Sequence, residues 1–133
     1  MRILIVEDDF TSRKVLQKML SKYGDCDMAA DGEEAVHACR MALEENAPYD
    51  LICMDIMMPV IDGQQALQQI RKLEGQWGLG SGSSARVVMT TALGDIKNVT
   101  QAFSQGLADS YVTKPIDSDK LIGELKKLNL IPD

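Results

Sequence analysis

Residues 3–9 read Ile-Leu-Ile-Val-Glu-Asp-Asp, an unbroken apolar run that ends abruptly in three acids. Four consecutive apolar residues suit a strand buried on both faces, as in the interior of a parallel sheet. The run is too short for a signal-peptide core and far too short to span a bilayer, so no targeting or membrane segment is expected from it. The same grammar repeats along the chain. Thr11 to Tyr23 places Val15, Leu16, Met19 and Leu20 at helical spacing. Asp27 to Ala30 is a weaker strand candidate, and Gly32 to Asn46 reads as a helix that stops before Pro48. Leu51-Ile52-Cys53-Met54 is a second apolar run, ending in Asp55, and Gln64 to Leu73 follows with Ala66, Leu67 and Ile70 on one face. Val87-Val88-Met89 runs into Thr90-Thr91-Ala92. Asp95 to Gln105 is expected to be a helix capped by Asp95, with Ile96, Val99 and Phe103 inward. Ser110 to Thr113 is the last strand candidate, closing on Lys114-Pro115, and Asp117 can cap a final helix bearing Leu121, Ile122, Leu125 and Leu128.

Five strand–helix pairs in 133 residues imply an α/β, doubly wound (βα)5 domain with a parallel sheet, because right-handed crossovers pack helices on both faces. The length is that of one domain, 1–133, with room for a core that needs neither disulfide nor metal. One segment interrupts the rhythm. Gly75 to Ala85 holds four glycines and three serines, which marks 75–85 as a flexible loop. Trp77 within it either anchors a partner at the surface or packs back on the domain, and packing is favoured.

Composition narrows the function. Twenty acids against 14 bases give a net charge of −6, which argues against nucleic-acid binding by this chain alone. Apolar residues at 45% are too many for a disordered chain. Cys26, Cys39 and Cys53 are odd in number and lack metal-ligand spacing, so they read as reduced thiols of a cytoplasmic protein. The one histidine, His37, sits in an ordinary helical pattern.

In open parallel sheets, ligands bind beyond the carboxyl ends of the strands. The residues that follow the apolar runs are Glu7, Asp8 and Asp9, then Asp55, then Thr90 and Thr91, then Lys114, while Asp31 reads as a helix cap. Carboxylates gathered at one edge repel unless a cation joins them, and hard oxygen ligands without His or Cys point to Mg²⁺. A lysine, a hydroxyl and a metal around one further carboxylate make a phosphoryl-transfer site, with that carboxylate as nucleophile.

Four motifs in order, ILIVEDD, MDIMMPVIDG, MTTA and YVTKP, each at an expected strand end, resemble the receiver domain of two-component response regulators over Ile3 to Leu128. The resemblance implies a flavodoxin-like sheet of order 2-1-3-4-5, the order the family is known for. It makes Asp55 the phospho-acceptor, with Thr91 and Lys114 as its catalytic partners. The residues themselves leave the three adjacent acids open. The family register, anchored by Arg13, assigns Asp8 as the direct Mg²⁺ ligand and Glu7 as a ligand through water, and leaves Asp9 to start the helix. Met57 would add a backbone carbonyl to the metal. Thr91 matches the switch hydroxyl because the small Ala92 follows it, Tyr111 matches the switch aromatic, and the Lys114–Pro115 bond is expected to be cis.

The implied partners are a histidine kinase or histidine phosphotransfer protein upstream and a protein target downstream. The target would be met through the 95–105 helix, the 110–113 strand and the 117–128 helix, in a monomer or a phosphorylation-dependent dimer. No output domain is expected after Asp133, unless the chain is a piece of a longer protein. Met57 and Leu93 flank the expected path of a hydrolytic water and cannot orient it, so slow self-dephosphorylation is expected. An aspartate-nucleophile hydrolase would show a second Asp where Met57 stands, and the strand pattern excludes a histidine phosphotransfer helix bundle.

Overall fold

The computed structural model describes residues 1–58, 61–80, 82–92, 97, 100–101, 105 and 107–133. Strands β1 (Arg2–Val6), β2 (Asp25–Ala29), β3 (Leu51–Asp55), β4 (Arg86–Thr91) and β5 (Ser110–Thr113) form one parallel sheet in the order β2-β1-β3-β4-β5. The helices among the described residues are α1 (Phe10–Leu20), α2 (Gly32–Glu44), α3 (Gly63–Gln76) and a C-terminal helix (Ser118–Lys127). The helix expected over 95–105, with Asp95, Ile96, Val99 and Phe103, falls largely outside the described residues.

The continuous apolar runs are explained by burial on both sides. Alternate residues of a strand face opposite ways. Leu4, Val6, Ile52, Met54, Val87 and Met89 pack with α2 and α3, whereas Ile3, Ile5, Leu51, Cys53, Val88 and Val112 pack with α1 and the C-terminal helix. β2 is an edge strand with Asp25 and Asp27 exposed, which explains its weak apolar signal.

Each of these four helices starts from an aspartate whose side chain accepts a first-turn backbone N–H: Asp9 from Ser12, Asp31 from Glu34, Asp62 from Gln65, and Asp117 from Asp119. At α3 the Gln65 side chain also accepts the Asp62 N–H, completing a capping box. The expected caps at Asp9, Asp31 and Asp117 therefore stand.

Two local expectations need correction. Val15 does not join the buried face of α1; Leu16 and Leu20 do that, and Val15 is exposed. α3 runs to Gln76, three residues past Leu73, so Gly75 and Gln76 belong to the helix and not to the loop. Trp77, at the end of α3, is only half covered by the domain, with 50% of its surface exposed. No helix of the described residues is long and apolar enough to cross a membrane.

Candidate phosphoryl-acceptor site

Each strand that ends at the site continues its face. Glu7, Asp55, Thr90 and Lys114 lie two residues beyond Ile5, Cys53, Val88 and Val112, so all four fall on the α1 side of the sheet. They form a row across the carboxyl ends of β1, β3, β4 and β5. Asp55 sits opposite Thr90 in the β3–β4 register.

The row is stitched by one ammonium group. Lys114 Nζ donates to Glu7 Oε1 at 2.7 Å and to Asp55 Oδ2 at 3.0 Å. Met57 N–H donates to the other Asp55 oxygen, Oδ1, at 3.1 Å. Glu7 is fully buried and Asp55 nearly so, while Asp8 is exposed at the mouth. Oxygens of Glu7, Asp8 and Asp55 all come within 4.8 Å of one another.

This crowding has an electrostatic signature. Burial, then the neighbouring Asp55, raise the Glu7 carboxyl from 4.5 to about 7, against the opposing pull of Lys114. Burial works against the Lys114 charge, yet its hydrogen bonds to Glu7 and Asp55 prevail and its pKa is raised. A single lysine therefore leaves part of the negative charge uncompensated. Three carboxylates with only oxygen donors, in need of positive charge, fit a hard divalent cation such as Mg²⁺, which keeps some of its waters. Asp8, Asp55 and Glu7 are the residues that would hold it.

Neighbouring backbone keeps the Asp55 strand end in place. Gly63 has no room for a side chain, since a Cβ there would stand 2.5 Å from the Asp55 carbonyl oxygen and 2.8 Å from Ile56 Cα. The Asp-Gly pair of the MDIMMPVIDG motif thus caps α3 with one residue and presses it onto the end of β3 with the next. Ile56 N–H bonds the Thr90 carbonyl, extending the β3–β4 ladder past Asp55. Arg13 Nη1 donates to the Glu7 and Asp8 carbonyls at 2.8 and 3.3 Å, a backbone clamp that sequence reasoning used only as a register mark.

Of the residues singled out from sequence, Glu7, Asp8, Asp55 and Lys114 converge, and Met57 contributes its backbone while its side chain is exposed. Thr91 is buried, and its hydroxyl donates to the Ala92 carbonyl at 3.1 Å. Tyr111 is 40% exposed, on a groove of about 420 Å³ that Lys120, Gly123, Glu124 and Lys127 also line. The Lys114–Pro115 bond is cis, as expected. Leu93 lies outside the described residues. His37 is an exposed helix residue, and the three cysteines are free thiols.

Comparison with known proteins places this geometry. A family model described as the response regulator receiver domain matches residues 3–126. The chain is 34% identical to the probable transcriptional regulator ycf27 of Guillardia theta, over 94% of this chain and 44% of that one. It spans less than half the length of that relative. It is 32% identical to the chemotaxis protein CheY of Bacillus subtilis, over 95% of both chains. Among solved structures, the receiver domain of a Pseudomonas aeruginosa sensor histidine kinase, with a magnesium ion coordinated in its active-site cleft, superimposes with a TM-score of 0.73 and 29% identity over 95% of this chain and 94% of that one. The receiver domain of Saccharomyces cerevisiae Ssk1, solved with the histidine phosphotransfer protein Ypd1, gives a TM-score of 0.78 and 30% identity over 100% of this chain and 93% of that one.

Proposed function

The chain belongs to the response regulator receiver domain family of two-component signalling, and on that premise we propose that Asp55 accepts a phosphoryl group from a phosphohistidine in a Mg²⁺-dependent reaction. The observation that carries this reading is the Lys114 ammonium held between Asp55 and Glu7, with Asp8 alongside. A buried carboxylate oxygen of Asp55 attacks phosphorus in line. The O–P bond forms as the P–N bond breaks, and the electron pair of that bond returns to the donor imidazole. Lys114 leaves its carboxylates for the phosphoryl oxygens, and the Met57 N–H holds the carboxylate in place. Asp8 and Asp55, with Glu7 through water and the Met57 carbonyl, would hold Mg²⁺, which would supply charge neutralisation to the phosphoryl oxygens when bound.

Thr91 then turns its hydroxyl toward the phosphoryl group and Tyr111 follows inward, biasing an equilibrium between two states of the domain. The readout is a protein target on the surface of the 95–105 segment, β5 and the C-terminal helix, in a monomer or a phosphorylation-dependent dimer. Residues 1–133 act as one receiver domain, a switch that catalyses its own phosphorylation and slow dephosphorylation. The donor is a histidine kinase or histidine phosphotransfer protein; the Ypd1 complex of the similar Ssk1 receiver supports that class of partner. Free thiols fit a cytoplasmic setting, and the acidic balance fits a chain that does not itself bind nucleic acid.

Incubation with a histidine-phosphorylated phosphotransfer domain and Mg²⁺ tests the reading. Label should leave the donor histidine and appear on this chain, and Asp55→Asn should abolish the transfer. Label that reaches Asp55→Asn equally well would refute Asp55 as the acceptor.

A further inference from the structure

Of the four residues in the row across the strand ends, three are bound to one another. The fourth, Thr90, is not. It is 1% exposed, and its hydroxyl finds no hydrogen-bond partner among the described residues. A buried hydroxyl without a partner is costly, and a valine of the same shape would avoid the cost. Thr91 can be set apart from it: that side chain falls on the opposite face, two residues beyond Met89, and already bonds the Ala92 carbonyl.

Topology says what Thr90 faces. Strand order puts β4 between β3 and β5, and Asp55 pairs with Thr90 across the β3–β4 ladder. Lys114 follows β5, yet its ammonium ends on Asp55 of β3 and on Glu7 beyond β1. Adjacent strands lie about 4.8 Å apart, so its stem crosses β4 on the face that Thr90 shares. The lysine arrives from the β4 side and meets Oδ2, while Oδ1 is turned to the Met57 N–H. Asp55 is the direct neighbour of Thr90 across the ladder, and Oδ2 is the carboxylate oxygen held by Lys114 and not by the backbone. It is also the oxygen that loses its donor when Lys114 moves to a phosphoryl group.

We propose that Thr90 is a positioning residue of the acceptor site, its hydroxyl donating to Asp55 Oδ2 once Lys114 has been drawn onto the phosphoryl oxygens. This rests on the receiver reading above and deepens it. In hydrolysis, water attacks phosphorus, the bond from phosphorus to the Asp55 oxygen breaks, and its electron pair stays on the carboxylate. The proton of the water leaves with inorganic phosphate or to solvent. The two carboxylate oxygens share the developing charge, so a donor on Oδ2 stabilises the departing carboxylate whichever of them carried phosphorus. Thr90 thereby sets the lifetime of the phosphorylated state.

The test compares acyl-phosphate decay in the wild type, Thr90→Val and Thr90→Ser, each loaded by a small phosphodonor with Mg²⁺ and followed by intact mass. One neutral hydrogen bond corresponds to a decay about two- to tenfold slower in Thr90→Val. Thr90→Ser, which keeps the hydroxyl, should decay at the wild-type rate. Thermal melting should show Thr90→Val at least as stable as the wild type, which separates the kinetic effect from a folding defect. A Thr90→Val protein that is phosphorylated but decays at the wild-type rate or faster overturns the inference, and so does a serine variant that behaves like valine. Should Thr90→Val not fold, the serine comparison decides alone: decay altered from wild type counts against the proposal, and unaltered decay supports it. Failure of the wild type to take up phosphoryl at all would instead remove the receiver reading and this inference with it.

Discussion

Among single residues, Glu7 carries the sharpest electrostatic consequence. Burial first, and Asp55 second, raise its carboxyl from 4.5 to about 7 in the folded protein. The unfolded chain holds it near 4.5, so between these values the folded state binds more protons. Stability therefore falls as pH rises through that window, and the penalty is complete above about pH 7. Glu124 behaves oppositely: its hydrogen bond from Ser110 lowers its pKa, so its contribution is present at neutral pH and lost only in acid. Metal-free protein should thus lose stability between pH 5 and pH 8 by an increment that Glu7→Gln removes, measured by equilibrium denaturation at about one-unit steps of pH. An identical pH profile for Glu7→Gln would contradict the assignment.

Asp55, Lys114 and the run of three acids stood out in the sequence because a charge that interrupts an apolar run has only the strand end to occupy, while the choice of Glu7 and Asp8 over Asp9 came from the resemblance. Thr90 did not stand out. In Met-Thr-Thr-Ala the two hydroxyls look equivalent until strand register assigns each to a face. Sequence reasoning chose Thr91 from the small residue after it and had no means to see that Thr90 shares the face of Asp55. Met57 was read for its carbonyl, and its N–H on Asp55 came only with the geometry of the turn.

At the level of elements, the end of α3 differs most from its sequence reading. Four glycines and three serines between 75 and 85 argued for a loop from Gly75 onward, yet the helix persists to Gln76. The cause is a largely buried cluster at the opposite end of the sheet from Asp55. Glu74 Oε2 accepts the Ala85 N–H at 2.7 Å, and its other oxygen binds Arg71 Nη1 at 2.7 Å. Arg71 in turn donates to the Ala85 and Leu107 carbonyls and reaches Asp109 at 3.3 Å. These contacts bind the last turn of α3 to the start of β4 and to the segment before β5. Gly75 has open space around it, so nothing in its surroundings opposes the extra turn. Replacing Glu74 by Ala leaves the Ala85 N–H without its acceptor and takes from Arg71 one of its two carboxylates, and should cost about 2 kcal/mol by equilibrium denaturation. A loss below about 1 kcal/mol would show that the cluster does not hold the helix end. Periodicity could not reveal this, because the Ala85 N–H held by Glu74 lies 11 residues on, and the carbonyls held by Arg71 lie 14 and 36 residues on.

Across the whole molecule, the strand order makes one reactive edge from residues spread over more than a hundred positions. Glu7 and Lys114 are 107 residues apart in sequence and 2.7 Å apart in space. Parallel strands all end on the same side, so each apolar run delivers its terminal polar residue to a common pocket, and α1 and the C-terminal helix cover the face on which Glu7, Asp55, Thr90 and Lys114 lie. The alternation of apolar runs and amphipathic stretches was enough to read this architecture. Its order 2-1-3-4-5 came from resemblance and agrees with the sheet observed. The central claim is that this pocket makes Asp55 a metal-dependent phospho-acceptor. Intact mass after incubation with a small phosphodonor, with and without Mg²⁺ and beside Asp55→Asn, tests it most directly. The account predicts a single added phosphoryl group that requires Mg²⁺ and is absent from the variant; no adduct on the wild type, or an equal adduct on Asp55→Asn, would contradict it.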